Sequence, residues 1–269
     1  MLRSISALPP WLTGVVMVLV LPAIVVLVQW AIRRRWPALT RGEQNDVVGF
    51  VIAVVGVIYA VLLAFVVIVA WENFDEAEQI VGQEASTLRG IYRDSLALPP
   101  EAQAEVQELV LQYATEVTTR EWPSMALAEP GDPRTGLIFD DLTRALSSVQ
   151  VETPAQQEFV GAAAERVSEL VSLRSQRLDF VEIGIPGVLW LALIIGGGVT
   201  IGFALLFGLE NAVLQFVMVG SLAVLIGVLL FVALMVNYPF TGDVAVQPDS
   251  FLRVLDDFGE PLPSGADGD

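Results

Sequence analysis

Any chemistry this chain performs must come from carboxylates, hydroxyls and guanidinium groups, because it has no His and no Cys, and all 14 of its basic residues are Arg. Without His the commonest general base, proton switch and zinc ligand is missing, and without Cys there is neither a thiolate metal site nor a disulfide framework. The 31 Asp and Glu residues are the abundant reactive groups. A catalytic pair of carboxylates needs a converging, desolvated geometry, and no spacing here demands one. The sequence has no nucleophile elbow, phosphate loop, zincin pattern or calcium loop. Asp243 and Asp249 are candidate oxygen ligands for a metal, and no cofactor is indicated. The expectation is a protein that is not an enzyme.

Composition sets the class. Of the 269 residues 54% are hydrophobic, with a mean hydropathy of +0.64, well above a soluble balance. Net charge is −17, which argues against nucleic acid, since phosphate binding needs a basic stripe. The apolar residues are clustered into four runs: Trp11 to Ile32, Val47 to Trp71, about Pro186 to Phe207, and about Val213 to Val236. At about 1.5 Å per residue each crosses a hydrocarbon core of about 30 Å as a helix. The first run is too long for a cleaved signal peptide and ends on Arg33, Arg34 and Arg35, so it reads as a permanent anchor. Gly208-Leu209-Glu210-Asn211 makes the last two runs an antiparallel hairpin. Trp11, Trp30, Trp36, Trp71 and Trp190 fall at run ends, at headgroup depth. The apolar runs contain no ionisable side chain of the kind that proton-coupled transport relays need.

The fold expected is therefore an all-α membrane protein with four transmembrane helices and a helical extramembrane domain between the second and third. The segments are residues 1–46, the first helix and an Arg-rich loop; 47–71, the second helix; 72–182, the acidic domain; 183–237, the hairpin; and 238–269, a polar acidic tail. Beyond Trp71, Phe74, Val81, Ala85, Leu88 and Tyr92 keep a helical period, so the second span continues into water and ends at Pro99-Pro100. A second helix runs from Pro100 and is closed by Trp122-Pro123; Pro130 to Pro133 is a turn, Leu137 to Val149 a short helix, and Thr153-Pro154 caps a long one leading into the third span. Between Glu72 and Glu182 there are 21 acidic and 8 basic residues, a solvated surface that attracts cations. Arg33, Arg34, Arg35 and Arg41 favour a cytoplasmic loop and an outside domain, with Arg3, Arg174 and Arg177 reducing the asymmetry. The location is the plasma (inner) membrane, as a multi-pass protein. Gly196-Gly197-Gly198 with Gly202 gives the third span a small-residue face for close helix contact.

The stretch Leu63-Ala64-Phe65 through Trp71-Glu72-Asn73-Phe74-Asp75-Glu76-Ala77 to Val81-Gly82 resembles the second-span signature of bestrophin ion channels. Tyr238-Pro239-Phe240-Thr241-Gly242-Asp243 and the following Pro248-Asp249 and Phe251-Leu252 resemble their post-membrane segment. More closely, Trp71 to Ala77, Glu121-Trp122-Pro123 and Tyr238 to Val246 together are similar to a bacterial family of bestrophin-like membrane proteins, a resemblance that covers nearly the whole chain. The resemblance marks Trp71, Glu72, Phe74, Glu76, Gly82, Pro239, Phe240 and Gly242 as signature positions. It implies a homopentamer in the lipid bilayer, with inorganic ions as its passengers, a cytosolic domain, and a hydrophobic neck falling here on Val57, Val61 and Phe65. Steps of four place those three on one helix face. The chain departs from bestrophins in carrying Val66 to Ala70 where they have polar residues, and Asn237-Tyr238 where they have an acidic pair that belongs to a calcium clasp in animal members. Three functions compete: an ion channel, a non-conducting sensor or scaffold binding a partner through the acidic domain, and a membrane hydrolase, which would need converging carboxylates.

Overall fold

The structure, a computed structural model, describes residues 9–37, 42, 45–129 and 131–259. Arg3, Arg41, Pro130 and the tail from residue 260 lie outside them. All regular elements among the described residues are helical, and four helical stretches are long and apolar enough to cross a membrane. The chain forms two compact units. One holds the residues up to Phe74 with Gly184–Tyr238 and Gly242–Val244; the other holds Asp75–Ile183, Pro239–Thr241 and the residues from Ala245 onward.

The membrane unit contains α1 (Pro10–Arg35), the first half of α2 (Asn45–Asp94), α7 (Gly187–Leu206) and α8 (Ala212–Met235). Helices in lipid gain nothing by leaving water for each other, so close packing has to hold them. Gly227 of α8 lies so near α1 that a Cβ there would stand 2.2 Å from the Met17 carbonyl oxygen. The flat made by Gly196 and Gly197 of α7 receives the Tyr59 ring, which would lie 2.7 Å from a Cβ on Gly196. Tyr59, Leu63, Val66 and Ala70 of α2 then form a buried core with Trp190, Leu193, Ile226 and Leu234. At one end Arg33 donates to the carbonyls of Leu209 and Glu210 and to Gln215 Oε1, while Asn45 and Gly208 exchange two hydrogen bonds of 2.6 and 3.0 Å. Asn211 caps α8 by accepting from Val213 and Leu214. The expected polar hairpin is thus fixed from both sides.

The second unit contains the rest of α2, α3 (Pro100–Glu116), α4 (Trp122–Ala126), α5 (Pro133–Ser148), α6 (Pro154–Glu182) and α9 (Asp249–Phe258). Its core is built from residues such as Leu88, Val110, Leu142, Leu170 and Phe251. Thr153 and Gln156 form a reciprocal capping box on α6, and Asp132 caps α5, whose start at Pro133 lies four residues ahead of the expected Leu137.

Two expectations are corrected. Trp122-Pro123 does not close its helix: a single π turn, Val117–Glu121, precedes it and the chain continues as α4. Proline offers no N–H to the carbonyl four residues back and its ring crowds that carbonyl, and the wider π turn accommodates both effects. Pro22 in α1 follows the π turn Val16–Val20 for the same reason. The long helix before the third span also does not run into it. α6 ends at Glu182, the backbone at Ile183 is extended, and α7 begins only after Pro186; a residue ahead of proline is pushed out of the helical region.

The glycine contacts generate a paired expectation. Gly227→Ala should lower thermal stability of the purified chain by about 1–3 kcal/mol, because the atom it meets is backbone. Gly198→Ala, which meets nothing within 4 Å, should be neutral or slightly stabilising in the same melt.

Candidate functional site

Val57, Val61 and Phe65 stand on the outward face of α2, with 64%, 65% and 59% of their surface exposed. Tyr59, Leu63, Val66 and Ala70 take the inward face, so the division follows from the helical period alone. The outward face is longer than the three. Val47, Phe50, Val54, Ile58, Ile68 and Trp71 are exposed too, and they recur at three- and four-residue steps over the whole apolar run. From Glu72 to the end of α2 the exposed positions are charged or polar, beginning with Glu72, Asp75 and Glu76.

Among the signature positions, Phe74 packs partly buried on the membrane-unit core with the Trp71 ring 6.1 Å away. Glu72 and Glu76 are exposed, and Gly82 has open space around it. Phe240 is buried edge-on against Trp122 at 5.6 Å, and the Pro239 carbonyl accepts from Val246 N–H at 2.8 Å. The loop between them turns through Gly242 at φ +96°, a conformation that favours glycine. Asn237 is buried and its Oδ1 accepts from Ile185 N–H at 2.8 Å. Asp243 is exposed and Asp249 opens α9; among the described residues no three acidic side chains are grouped to hold a metal ion.

Sequence reasoning missed a buried charge cluster in the second unit. The Arg177 guanidinium, wholly buried, donates to Glu84 at 2.6 and 3.1 Å and to Glu121 at 2.8 Å. Arg174 donates to the other oxygen of Glu121, and Tyr113 donates to Glu84 at 2.5 Å. Trp122 and Phe251 lie 5.7 and 5.9 Å from the Arg177 carbon, within cation–π range. Burial opposes the Arg177 charge, but its partners, Glu84 by charge and hydrogen bond and then Tyr113 and Glu121, together outweigh that and hold its pKa above the ordinary value. Burial, and then the Glu84 charge, push the Tyr113 phenol well above its usual 10.0. The cluster matches two guanidinium groups with two carboxylates, so it is a neutral clasp joining α2, the π turn, α6 and α9. The signal lay in register: Glu84 interrupts the apolar series Ala77, Val81, Leu88, Ile91, and Arg177 interrupts Val167, Leu170, Phe180.

The profile of the bestrophin-like domain family matches residues 19–251. No curated protein matches the chain. A point mutant of a bacterial bestrophin homologue from Klebsiella pneumoniae has the same fold, with a TM-score of 0.67 at 13% identity over 93% of this chain and 99% of that one. A second mutant described in the same words gives 0.63 at 14%, over 93% and 98%. The crystal structure of a further membrane protein, also a point mutant, gives 0.70 at 13%, over 92% and 100%. At these identities the likeness is one of fold.

Removing Arg177 leaves the buried Glu84 carboxylate without its cation, while Glu121 keeps Arg174. Arg177→Met should cost about 3–5 kcal/mol in chemical unfolding of the full chain, and adding Glu84→Gln, which restores the charge balance with Arg174 and Glu121 still paired, should recover most of the loss. Tyr113 sets a pH limit. Its folded-state pKa is raised, so its contribution is complete below about pH 10, the unfolded value, and is lost as pH rises through the folded one. Tyr113→Phe should cost about 1 kcal/mol at neutral pH and flatten the alkaline decline of the melting temperature.

Proposed function

The chain belongs to the bestrophin-like family, and on that footing we propose that it is a homopentameric ion channel of a bacterial inner membrane, with α2 of each copy facing the axis. Val57, Val61 and Phe65 form its neck. The observation that carries this reading is the outward apolar face of α2, which the chain's own helices leave uncovered although the inward face of the same helix is packed. A ring of such side chains closes a path by shedding water from it, and opens when the ring widens. The carboxylates of Glu72, Asp75 and Glu76 follow the apolar section and would meet ions beyond it.

The continuation of the stripe through Ile68 to Trp71 favours a second reading, a non-conducting membrane sensor or scaffold with a dry axis, which binds its partner through the acidic helical unit. Two measurements separate them. Mass determination in detergent should give five copies, and a monomer or dimer would end the pore reading. In planar bilayers the pentamer should carry current, and Val61→Ala with Phe65→Ala should raise it several-fold. A pentamer that stays silent across voltage, pH and calcium in both wild type and the double variant leaves the scaffold.

A further inference from the structure

We propose that Arg34 and Arg35 form a binding site for the phosphate of an anionic phospholipid headgroup. The three arginines that end α1 are not equivalent. Arg33 turns inward and is occupied by Leu209, Glu210 and Gln215. Arg34 and Arg35 are exposed, and each lies over a tryptophan: Arg34 is 5.2 Å from the Trp30 ring centroid and Arg35 is 5.8 Å from that of Trp36. Both indoles are themselves about half exposed, at 50% and 55%.

A guanidinium held over an aromatic ring by its face keeps its in-plane N–H groups, and that fork matches two phosphate oxygens. Among the described residues Arg89, Arg120, Arg144, Arg166, Arg174 and Arg177 have carboxylate partners; Arg34 and Arg35 have none, and unlike the other exposed arginines without one they stand side by side at the end of a membrane-crossing helix. In a chain of net charge −17 two such cations side by side are a local exception, and they attract anions where the rest of the surface repels them. The setting selects a lipid over a soluble anion. The pair terminates a membrane-crossing helix, and indoles at such an end sit at headgroup depth. At the same corner Gln215, which accepts from Arg33, forms the polar wall of an apolar cavity of about 250 Å³ lined by Ile52, Phe207, Met218 and Leu222, a berth for part of an acyl chain.

Native mass spectrometry of the purified full chain, offered equal phosphatidylglycerol and phosphatidylcholine, tests the site. A surface arginine adds roughly five-fold to anionic-lipid binding, so Arg34→Gln with Arg35→Gln should lose more than ten-fold of the phosphatidylglycerol preference, while Arg253→Gln on α9 should keep it. Arg34→Lys with Arg35→Lys keeps the charge but not the fork, and should lose part of the preference. Equal uptake of both lipids by the wild type, or a preference that survives the glutamine pair, overturns the proposal. A lysine pair identical to wild type also overturns it, because diffuse surface charge then suffices. So does displacement by millimolar inorganic phosphate, because the site then belongs to a soluble anion.

Discussion

Hydrocarbon gives a backbone N–H or carbonyl nothing to bond, so each segment crossing it must close its own hydrogen bonds as a helix and find its neighbours by fit alone. The membrane unit follows from that constraint. Glycines at 196 and 227 let Tyr59 and the Met17 carbonyl approach to distances under 3.0 Å from where a Cβ would stand, and Gly197 leaves room for the Tyr59 hydroxyl beside them. Once Tyr59 is seated, the period of α2 fixes the rest: Leu63, Val66 and Ala70 must follow it inward, and Val57, Val61 and Phe65 must face away. The uncovered face is thus a consequence of how the covered one packs. It has the length of the whole apolar run and lacks a polar interruption, as a surface meant for lipid or for other copies of the chain must.

The second unit meets the opposite problem. In water its helices are held by apolar burial, yet its centre contains a guanidinium and two carboxylates with no solvent access. An apolar replacement of similar volume can be as stable, so the cluster contributes geometry more than energy. Arg177 reaches Glu84 on α2, Glu121 on the π turn and the Phe251 ring on α9, so one side chain ties those elements to one another. The π turn itself exists because Pro123 cannot complete a regular helical turn, and it presents Glu121 beside both arginines. A proline in the sequence therefore determines where a buried charge lands.

The spans were legible because uninterrupted apolar runs leave no competing reading, and the all-helical second unit was legible from its periodicity. The bestrophin-like family was legible from ungapped motifs such as Trp71 to Ala77. What escaped depended on three-dimensional context. Pro123 looked like a stop because propensity knows nothing of π turns, and the break at Ile183–Pro186 was hidden by the apolar residues around it. The charge cluster was legible in principle, since Glu84 and Arg177 fall in buried registers, but their pairing spans 93 residues and no local rule connects them. The different fates of Arg33 and its two neighbours follow from the direction each side chain takes at the end of α1, which the string Arg-Arg-Arg does not reveal.

In the proposed assembly the outward face of α2 meets other copies of itself around an axis. The chain has no cysteine, so a single one can be introduced without background. Full-length protein in native membranes carrying Val61→Cys, treated with an oxidant or a short bismaleimide, should cross-link copies efficiently, whereas Ile194→Cys, equally exposed but on α7, should not. Cross-linking through position 194 with none through position 61 would contradict the account, because α2 would then face lipid and the contact between copies would lie elsewhere.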